Sequence, residues 1–180
     1  LVYAIYGGTF DPIHVGHITL ADHAVRECGI DKLIFMPDYI SPFKQDSEVT
    51  AGSDRCGMIR AALSYNLAFC LSTYELRRVG PSYTVETLRY WKNLLGGDLS
   101  FVLGFDSVVQ IDKWYMGEEI LRDYPLITAL RPDTDAEDGL QKIDHFRKEY
   151  GADITLMKMM PVDASSTEIR SRIKQGLPIT

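Results

Sequence analysis

The feature that most constrains the fold is the stretch Gly7–His17, which reads Gly-Gly-Thr-Phe-Asp-Pro-Ile-His-Val-Gly-His. The β-branched and aromatic run at 2–6 precedes it and predicts a buried first strand. Apolar residues at spacings of three and four follow it as far as Cys28, and Gly29 ends this predicted helix. The stretch is therefore expected to form a strand–turn–helix corner, where its two leading glycines let the backbone approach a ligand.

A corner of this kind predicts an anion site. Backbone amides and the N-terminus of the following helix point out of it, and both favour negative charge. His14 and His17 add two side-chain donors beside these amides. We therefore expect a phosphate group here, with amides contributed by Gly7, Gly8, Thr9 and Phe10.

Other interpretations of the same residues fit less well. A dinucleotide fingerprint needs Gly-x-Gly-x-x-Gly, a P-loop needs a Gly-Lys-Ser/Thr ending, and the stretch has neither. A metal site could be drawn from His14, His17 and His23, but Pro12 and Gly16 interrupt the helical spacing that a zincin motif requires. A glycine turn with two incidental histidines stays open as the simplest alternative.

Predicted strands and helices alternate along the rest of the chain. This pattern predicts an α/β fold with a doubly wound, mostly parallel sheet and helices on both faces, formed by a single domain over 1–180. Ligands of such sheets bind beyond the carboxyl ends of the strands, near the topological switch point. The later strands are predicted at 32–36, 67–72, 99–103, 126–130 and 154–159, and the later helices at 54–66, 85–95, 106–122, 140–150 and 165–175.

Composition narrows the choice of partners. A net charge of −6 argues against nucleic acid as the main partner. Apolar runs stay well short of the roughly 18 residues that a membrane helix needs, so no membrane partner is expected. The three cysteines lack a Cys-x-x-Cys pairing and are expected to be reduced thiols of a cytoplasmic protein. A homo-oligomer stays possible.

Polar residues follow the later strands as well. Gly104 and Asp106 come directly after the fourth strand, and Arg131 comes after the fifth. The segment 165–170 follows the last strand and combines a predicted capping box with phosphate-binding hydroxyls and an arginine. Simpler alternatives are an N-cap role for Asp106 and a well-capped helix with a solvated arginine.

Two of these motifs together resemble a known family. Gly-Gly-Thr-Phe-Asp-Pro-x-His-x-Gly-His and Ser-Ser-Thr-x-Ile-Arg are similar to signatures of the nucleotidyltransferase superfamily, and in particular of the bacterial nicotinate-mononucleotide adenylyltransferases. The resemblance implies a Rossmann-like nucleotidyltransferase fold and adenylyl transfer from ATP to nicotinate mononucleotide, which gives deamido-NAD and pyrophosphate in NAD biosynthesis. It also implies direct in-line displacement without a covalent enzyme intermediate, and Mg²⁺ that is carried mainly by the ATP phosphates rather than by a protein metal site.

The resemblance also assigns roles to residues of this chain. His14, His17 and Arg170 would be catalytic. The ATP and phosphate contacts would be Gly7, Gly8, Thr9, Phe10, Gly104, Asp106, Arg131, Ser166 and Thr167. The mononucleotide contacts would be Lys44, Thr84, Val85, Trp114 and Tyr115, with Trp114 stacking on the pyridine ring. The loop around Lys44 reads Ser-Pro-Phe-Lys, where the family has Pro-Pro-His-Lys.

Rival functions were weighed against this one. Within enzymes, the nearest is an adenylyltransferase for phosphopantetheine or another small phosphate. From another class, a catalytically silent nucleotide sensor could use the same fold, although His14, His17 and Arg170 argue against it. For Trp114, a place in the core is the simpler alternative to ring stacking.

Overall fold

The computed structural model describes residues 1–39, 49–78, 80–130, 136–158, 162 and 164–179. Its strands are β1 (Tyr3–Gly8), β2 (Lys32–Pro37), β3 (Phe69–Leu71), β4 (Leu99–Val102), β5 (Leu126–Leu130) and β6 (Ile154–Lys158). Its α-helices are α1 (Val15–Glu27), α2 (Gly52–Leu63), α3 (Thr84–Leu95), α4 (Phe105–Val108), α5 (Gly117–Asp123), α6 (Glu137–Tyr150) and α7 (Ser166–Lys174). Short 3-10 turns lie at Glu75–Arg77 and Ile111–Lys113. Over these ranges no helix combines the length and the apolar character needed to cross a membrane.

The strands form one sheet in the order β3-β2-β1-β4-β5-β6, and every described pairing is parallel. The prediction of a doubly wound α/β fold is therefore confirmed. The order reverses between β1 and β4, where the chain first leaves toward β2 and later returns on the other side of β1. The crevice beyond the carboxyl ends of these two strands is the position where such sheets bind ligands.

Both faces of the sheet are covered. Successive side chains of a strand point to opposite faces, and in β1 both sets are buried. Ile5 belongs to a core cluster shared with α3, α5 and α6, whereas Ala4 and Tyr6 belong to a second cluster shared with α1 and α2. This two-sided burial holds the carboxyl end of β1 in a fixed position between two layers of helices.

The two glycines of the first motif lie in β1 rather than in the turn. Gly7 pairs with Met36 and Gly8 with Pro37, so the turn itself begins at Thr9. A Cβ atom on Gly7 would lie 3.0 Å from the ring of Phe101. The glycines thus admit aromatic rings against the backbone, and the left-handed residue of the turn is Phe10, with φ of 49°.

The helix predicted over 106–122 is wrong in its extent. The structure divides this segment into α4, the 3-10 turn Ile111–Lys113 and α5. A Cβ on Gly117 would lie 1.7 Å from the carbonyl oxygen of Ile111, so the close approach that starts α5 requires glycine. The break places Trp114 and Tyr115 in a bend between two short helical pieces.

Candidate active site

A cavity of about 570 Å³ opens at the carboxyl ends of β1 and β4. We call residues 7–17 and 166–170 its histidine side, and Glu75, residues 82–87, Trp114 and Tyr115 its aromatic side. Most of the site residues predicted from the sequence contribute to its lining: Gly7, Gly8, Thr9, Phe10, His14, His17, Thr84, Gly104, Asp106, Trp114, Tyr115, Ser166 and Arg170. Segments that are far apart in the sequence therefore meet at one site.

The backbone fixes the tautomers of both histidines. Nδ1 of His14 accepts from the amide of Gly16 at 3.1 Å, and Nδ1 of His17 accepts from the amide of His14 at 3.2 Å. A backbone amide can only donate, so each ring carries its proton on Nε2. The two rings lie 3.8 Å apart between centroids. The site therefore holds a matched pair of Nε2–H donors.

This arrangement changes the expected source of anion contacts at the start of α1. The sequence predicted that amides at the helix N-terminus, beside those of Gly7–Phe10, would face the ligand; the Gly7–Phe10 amides stay a prediction. Instead, the two histidines cap the helix, and the amides of His14 and Gly16 are bonded to imidazole rings. The positive end of the helix dipole still lies beside the cavity, but the rings present the donors. Histidine thus serves as cap and as donor at once.

The start of α7 is bonded to the turn that follows β1. Ser166 Oγ donates to the carbonyl of Pro12 at 2.9 Å, and Arg170 Nη1 donates to the carbonyl of Asp11 at 2.6 Å. Arg170 Nη2 also donates to Thr167 Oγ1 at 3.3 Å. Thr167 is therefore placed to orient Arg170, and it is not part of the cavity lining.

The predicted capping box of α7 is half present. Ser165 Oγ accepts from the amide of Glu168 at 3.1 Å, as expected. The carboxylate of Glu168 instead bonds Arg172 one turn further along, at 3.3 Å. None of these three residues lines the cavity, to which α7 contributes Ser166 and Arg170.

Arg55 is a buried residue that holds the turn after β1 in place, and the sequence did not indicate this role. Its side chain is 2% exposed. The guanidinium donates to the carbonyls of Thr9 at 2.7 Å, Asp38 at 2.9 Å and Thr50 at 2.9 Å, and it pairs with the Asp38 carboxylate at 3.4 Å. One buried cation thereby joins the turn after β1, the residue that follows β2 and the residues before α2. Its spacing of four from buried Ile59 is the signal that could have placed Arg55 on the buried face of the helix.

The aromatic side is built around the start of α3. The N-cap residue Tyr83 makes no capping hydrogen bond with its side chain in the described structure, unlike His14 at α1 and Ser165 at α7. The side chain of Val85 is fully buried, and Val85 is not part of the cavity lining, whereas Thr84 is. The side chain of Tyr83 therefore leaves the first-turn amides of α3 uncapped, and the role of the Thr84 and Val85 amides as donors to a ligand stays a prediction.

The rings of the aromatic side come from two places in the chain. Trp114 packs partly against the core and lies edge-on to Phe101, with ring centroids 6.4 Å apart. Tyr115 is more exposed and lies 4.8 Å from Tyr83 between ring centroids. Trp114 therefore packs on the core, as the simpler alternative expected, and also lines the cavity. Its stacking on a pyridine ring stays a prediction.

Glu75 is a second residue that the sequence analysis missed, because a charged connecting segment predicts solvent exposure. It is 7% exposed, lines the cavity and accepts from Thr87 Oγ1 at 2.6 Å. Burial raises the pKa of its carboxyl to about 7, and the charge of Asp38 acts in the same direction. Hydrogen bonds from Thr87 and Ser82 and the charge of Arg78 oppose this rise.

Asp106 is not the N-cap of its helix, so that alternative is wrong. Gly104 occupies the capping position, and Asp106 lies in the first turn of α4 with its side chain exposed at the cavity. Two other predicted contacts, Lys44 and Arg131, lie outside the described residues.

The described side chains do not form a metal site. Across the described part of the chain, histidine, cysteine, aspartate and glutamate form no group of three or more that could hold a metal ion. His14 and His17 use Nδ1 for backbone amides, and His23 pairs with Glu27 on the exposed side of α1. These contacts disfavour the three-histidine metal site that was considered above.

Comparison with known proteins agrees with this geometry. Residues 5–172 match the model of the cytidylyltransferase-like family. A probable nicotinate-nucleotide adenylyltransferase of Caldicellulosiruptor bescii is 37% identical over 98% of this chain and 88% of its own length. The corresponding protein of Aquifex aeolicus is 39% identical over 91% of this chain and 98% of its own length.

Solved structures show the same fold. Nicotinic acid mononucleotide adenylyltransferase of Plasmodium falciparum, complexed with NaAD, superposes with a TM-score of 0.78 at 21% identity, covering 98% of this chain and 86% of that one. Sequence similarity over nearly the whole chain, the shared fold and the cavity at the switch point lead to one conclusion. This chain is a nucleotidyltransferase and belongs to the nicotinate-nucleotide adenylyltransferases of the cytidylyltransferase-like family.

Proposed function

We propose that this enzyme transfers the adenylyl group of ATP to nicotinate mononucleotide by direct in-line displacement, giving deamido-NAD and pyrophosphate. The observation that carries the proposal is the pair of Nε2–H donors on His14 and His17, facing one cavity together with Arg170. Donors from three side chains that line one cavity suit the negative charge that develops on the oxygens of a phosphoryl group.

The reaction needs positioning and charge stabilisation more than proton transfer. A 5′-phosphate oxygen of the mononucleotide attacks the α-phosphorus of ATP, and the bond from that phosphorus to the bridging oxygen of pyrophosphate breaks. The attacking oxygen is already anionic near neutral pH, so no strong base is required. None of the three cysteines lines the cavity, and direct displacement needs no nucleophile from the enzyme.

His14, His17 and Arg170 would hold the phosphates in line and spread their negative charge. Asp11 and Thr167 accept hydrogen bonds from the Arg170 guanidinium, so its planar fork is oriented before the substrate arrives. Mg²⁺ carried by ATP would neutralise the leaving pyrophosphate, with phosphate oxygens and water as its main ligands. Gly104, Asp106 and Ser166 line the same cavity and are proposed contacts of ATP.

On the aromatic side, we place the pyridine ring against Trp114, with its carboxylate near the amides of Thr84 and Val85 and near Tyr115. A carboxylate accepts from every one of these donors and gains from the dipole of α3. A carboxamide must turn its NH₂ toward a donor and leave one buried group unpaired. A preference of roughly 10²-fold in kcat/KM for the nicotinate form is expected.

The test is pyrophosphate release from ATP with nicotinate mononucleotide, nicotinamide mononucleotide or phosphopantetheine as the acceptor. Release with the nicotinate form at the highest kcat/KM supports the proposal. A higher kcat/KM with phosphopantetheine would assign a different acceptor to the same chemistry. Binding of ATP without release for any of the three would instead indicate a nucleotide sensor.

A further inference from the structure

Glu75 is a buried titratable group of the cavity that the proposed mechanism does not use. It begins the 3-10 turn Glu75–Arg77, and its carboxyl accepts a hydrogen bond from the Thr87 hydroxyl of α3. Ser82 bonds to the same carboxyl, and Ser82 Oγ in turn accepts from the amide of Tyr39 at 3.2 Å. One carboxyl thereby connects the end of β2, the turn before α3 and the first turn of that helix.

The hydrogen bonds of Glu75 surround the amides that are proposed to bind the carboxylate of the pyridine ring. Thr84 and Val85, whose amides are proposed to face that substituent, lie between Ser82 and Thr87 in the sequence. Glu75, Ser82, Thr84 and Thr87 all line the cavity. The carboxyl is therefore placed to fix the start of α3 from within the site.

We propose that Glu75 is a specificity-determining residue for the mononucleotide: it positions Ser82 and Thr87 around the first-turn amides of α3, and its negative charge, when present, opposes an anionic ring substituent. The inference rests on the proposed function, because it assumes that the pyridine ring occupies the aromatic side. It predicts that the preference for nicotinate over nicotinamide depends on pH.

The sign of this dependence follows from the ionisation of Glu75, whose pKa is raised mainly by burial. Asp38 at the end of β2 disfavours its ionisation, and Arg78 after the 3-10 turn favours it. The strand residues that line the cavity nearby, Ile5 and Phe101, carry no charge. Below its pKa of about 7 the carboxyl is neutral and tolerates a second carboxylate, whereas above that pKa the two charges repel.

Binding of the nicotinate form above neutral pH therefore requires uptake of a proton by Glu75. Because binding is linked to the uptake of one proton, kcat/KM for the nicotinate form falls by at most about tenfold per pH unit above the pKa of Glu75. Both mononucleotides carry the same pyridinium charge, but the carboxamide of the nicotinamide form is neutral and escapes this loss. Both mononucleotides carry the same 5′-phosphate, so the ratio of their kcat/KM values cancels the ionisation of that group.

The experiment measures this ratio between about pH 6 and pH 9 for the wild type and for Glu75→Gln, a range that brackets the raised carboxyl pKa. The wild-type ratio is expected to fall as pH rises through 7. Glutamine keeps an acceptor oxygen but has no charge, so its ratio is expected to stay level. Glu118→Gln on the exposed surface of α5 is the matched control and is expected to follow the wild type.

A second variant distinguishes an effect of the Glu75 charge from a purely structural role of this residue. Thr87→Val removes a hydrogen bond that lowers the pKa of Glu75, so the fall of the ratio should move to higher pH. A level ratio in the wild type, or the same fall in Glu75→Gln, would overturn the inference while leaving adenylyl transfer intact. Absence of pyrophosphate release with either mononucleotide at every pH would instead reject the proposed function.

Discussion

The two sides of the cavity are constructed differently. On the histidine side, the two rings and their backbone partners lie within one short stretch of the sequence, and Ser166 and Arg170 of α7 bond backbone carbonyls of that same stretch. On the aromatic side, Glu75, the start of α3 and the bend at Trp114 come from separate segments, which meet through a hydrogen bond between side chains and through ring packing. The first kind of site can be read as a motif, whereas the second exists only once the sheet has brought its segments together.

The largest expected effect comes from removing the buried cation beneath the histidine side. Arg55→Met would leave the Asp38 carboxylate and three carbonyls without their partner, at a cost of about 3–5 kcal/mol in the free energy of unfolding. Urea denaturation measures this loss. Arg60→Met, at an exposed position of the same helix, is the control and should change stability little. Equal midpoints for the two variants would contradict the role of Arg55.

His17→Ala tests the chemistry of the histidine side rather than its support. It removes one Nε2–H donor, and turnover should fall roughly 10²–10³-fold while ATP binding is largely kept. Steady-state pyrophosphate release and ATP titration measure the two quantities. His23→Ala on the same helix, where the ring pairs with Glu27, should keep normal turnover. A near-normal rate for His17→Ala would remove this ring from the mechanism.

Arg170→Lys keeps the charge but loses the planar fork. Lysine cannot bond the carbonyl of Asp11 and still present two parallel donors to a phosphate, so kcat/KM for ATP should fall about tenfold to a hundredfold. Arg172→Lys on the same helix, whose partner is Glu168, is the matched control. Similar constants for both variants would place Arg170 on the solvated face of the helix.

The smallest of these effects should appear on the aromatic side. Trp114→Leu removes the ring proposed to stack on the pyridine and should raise KM for the mononucleotide about tenfold, with KM for ATP unchanged. Trp91→Leu alters a core ring that does not line the cavity, so it should lower stability and leave both KM values alone. A parallel rise in both KM values for Trp114→Leu would show that the two sides are not independent.

The difference between the two sides of the cavity also explains which features of the fold and the site could be predicted from the sequence. The alternation of strands and helices predicted the doubly wound sheet, and most motif residues do line the cavity. The prediction was wrong for the helix over 106–122, because the backbone turns back on itself between Ile111 and Gly117, a local break that helical spacing alone does not show. Arg55 and Glu75 were missed because charged residues are usually exposed, and their burial depends on partners more than ten positions away.

The tautomers of the two histidines limit which acceptors the site can serve. Each ring already has its proton on Nε2 and offers Nδ1 to a backbone amide, so neither nitrogen is available to take a proton from a substrate. An alcohol would need such a base before it could attack ATP, whereas a phosphate monoester arrives with its charge in place. The cap of α1 thus suits these two rings to nucleophiles that are ionised before they bind.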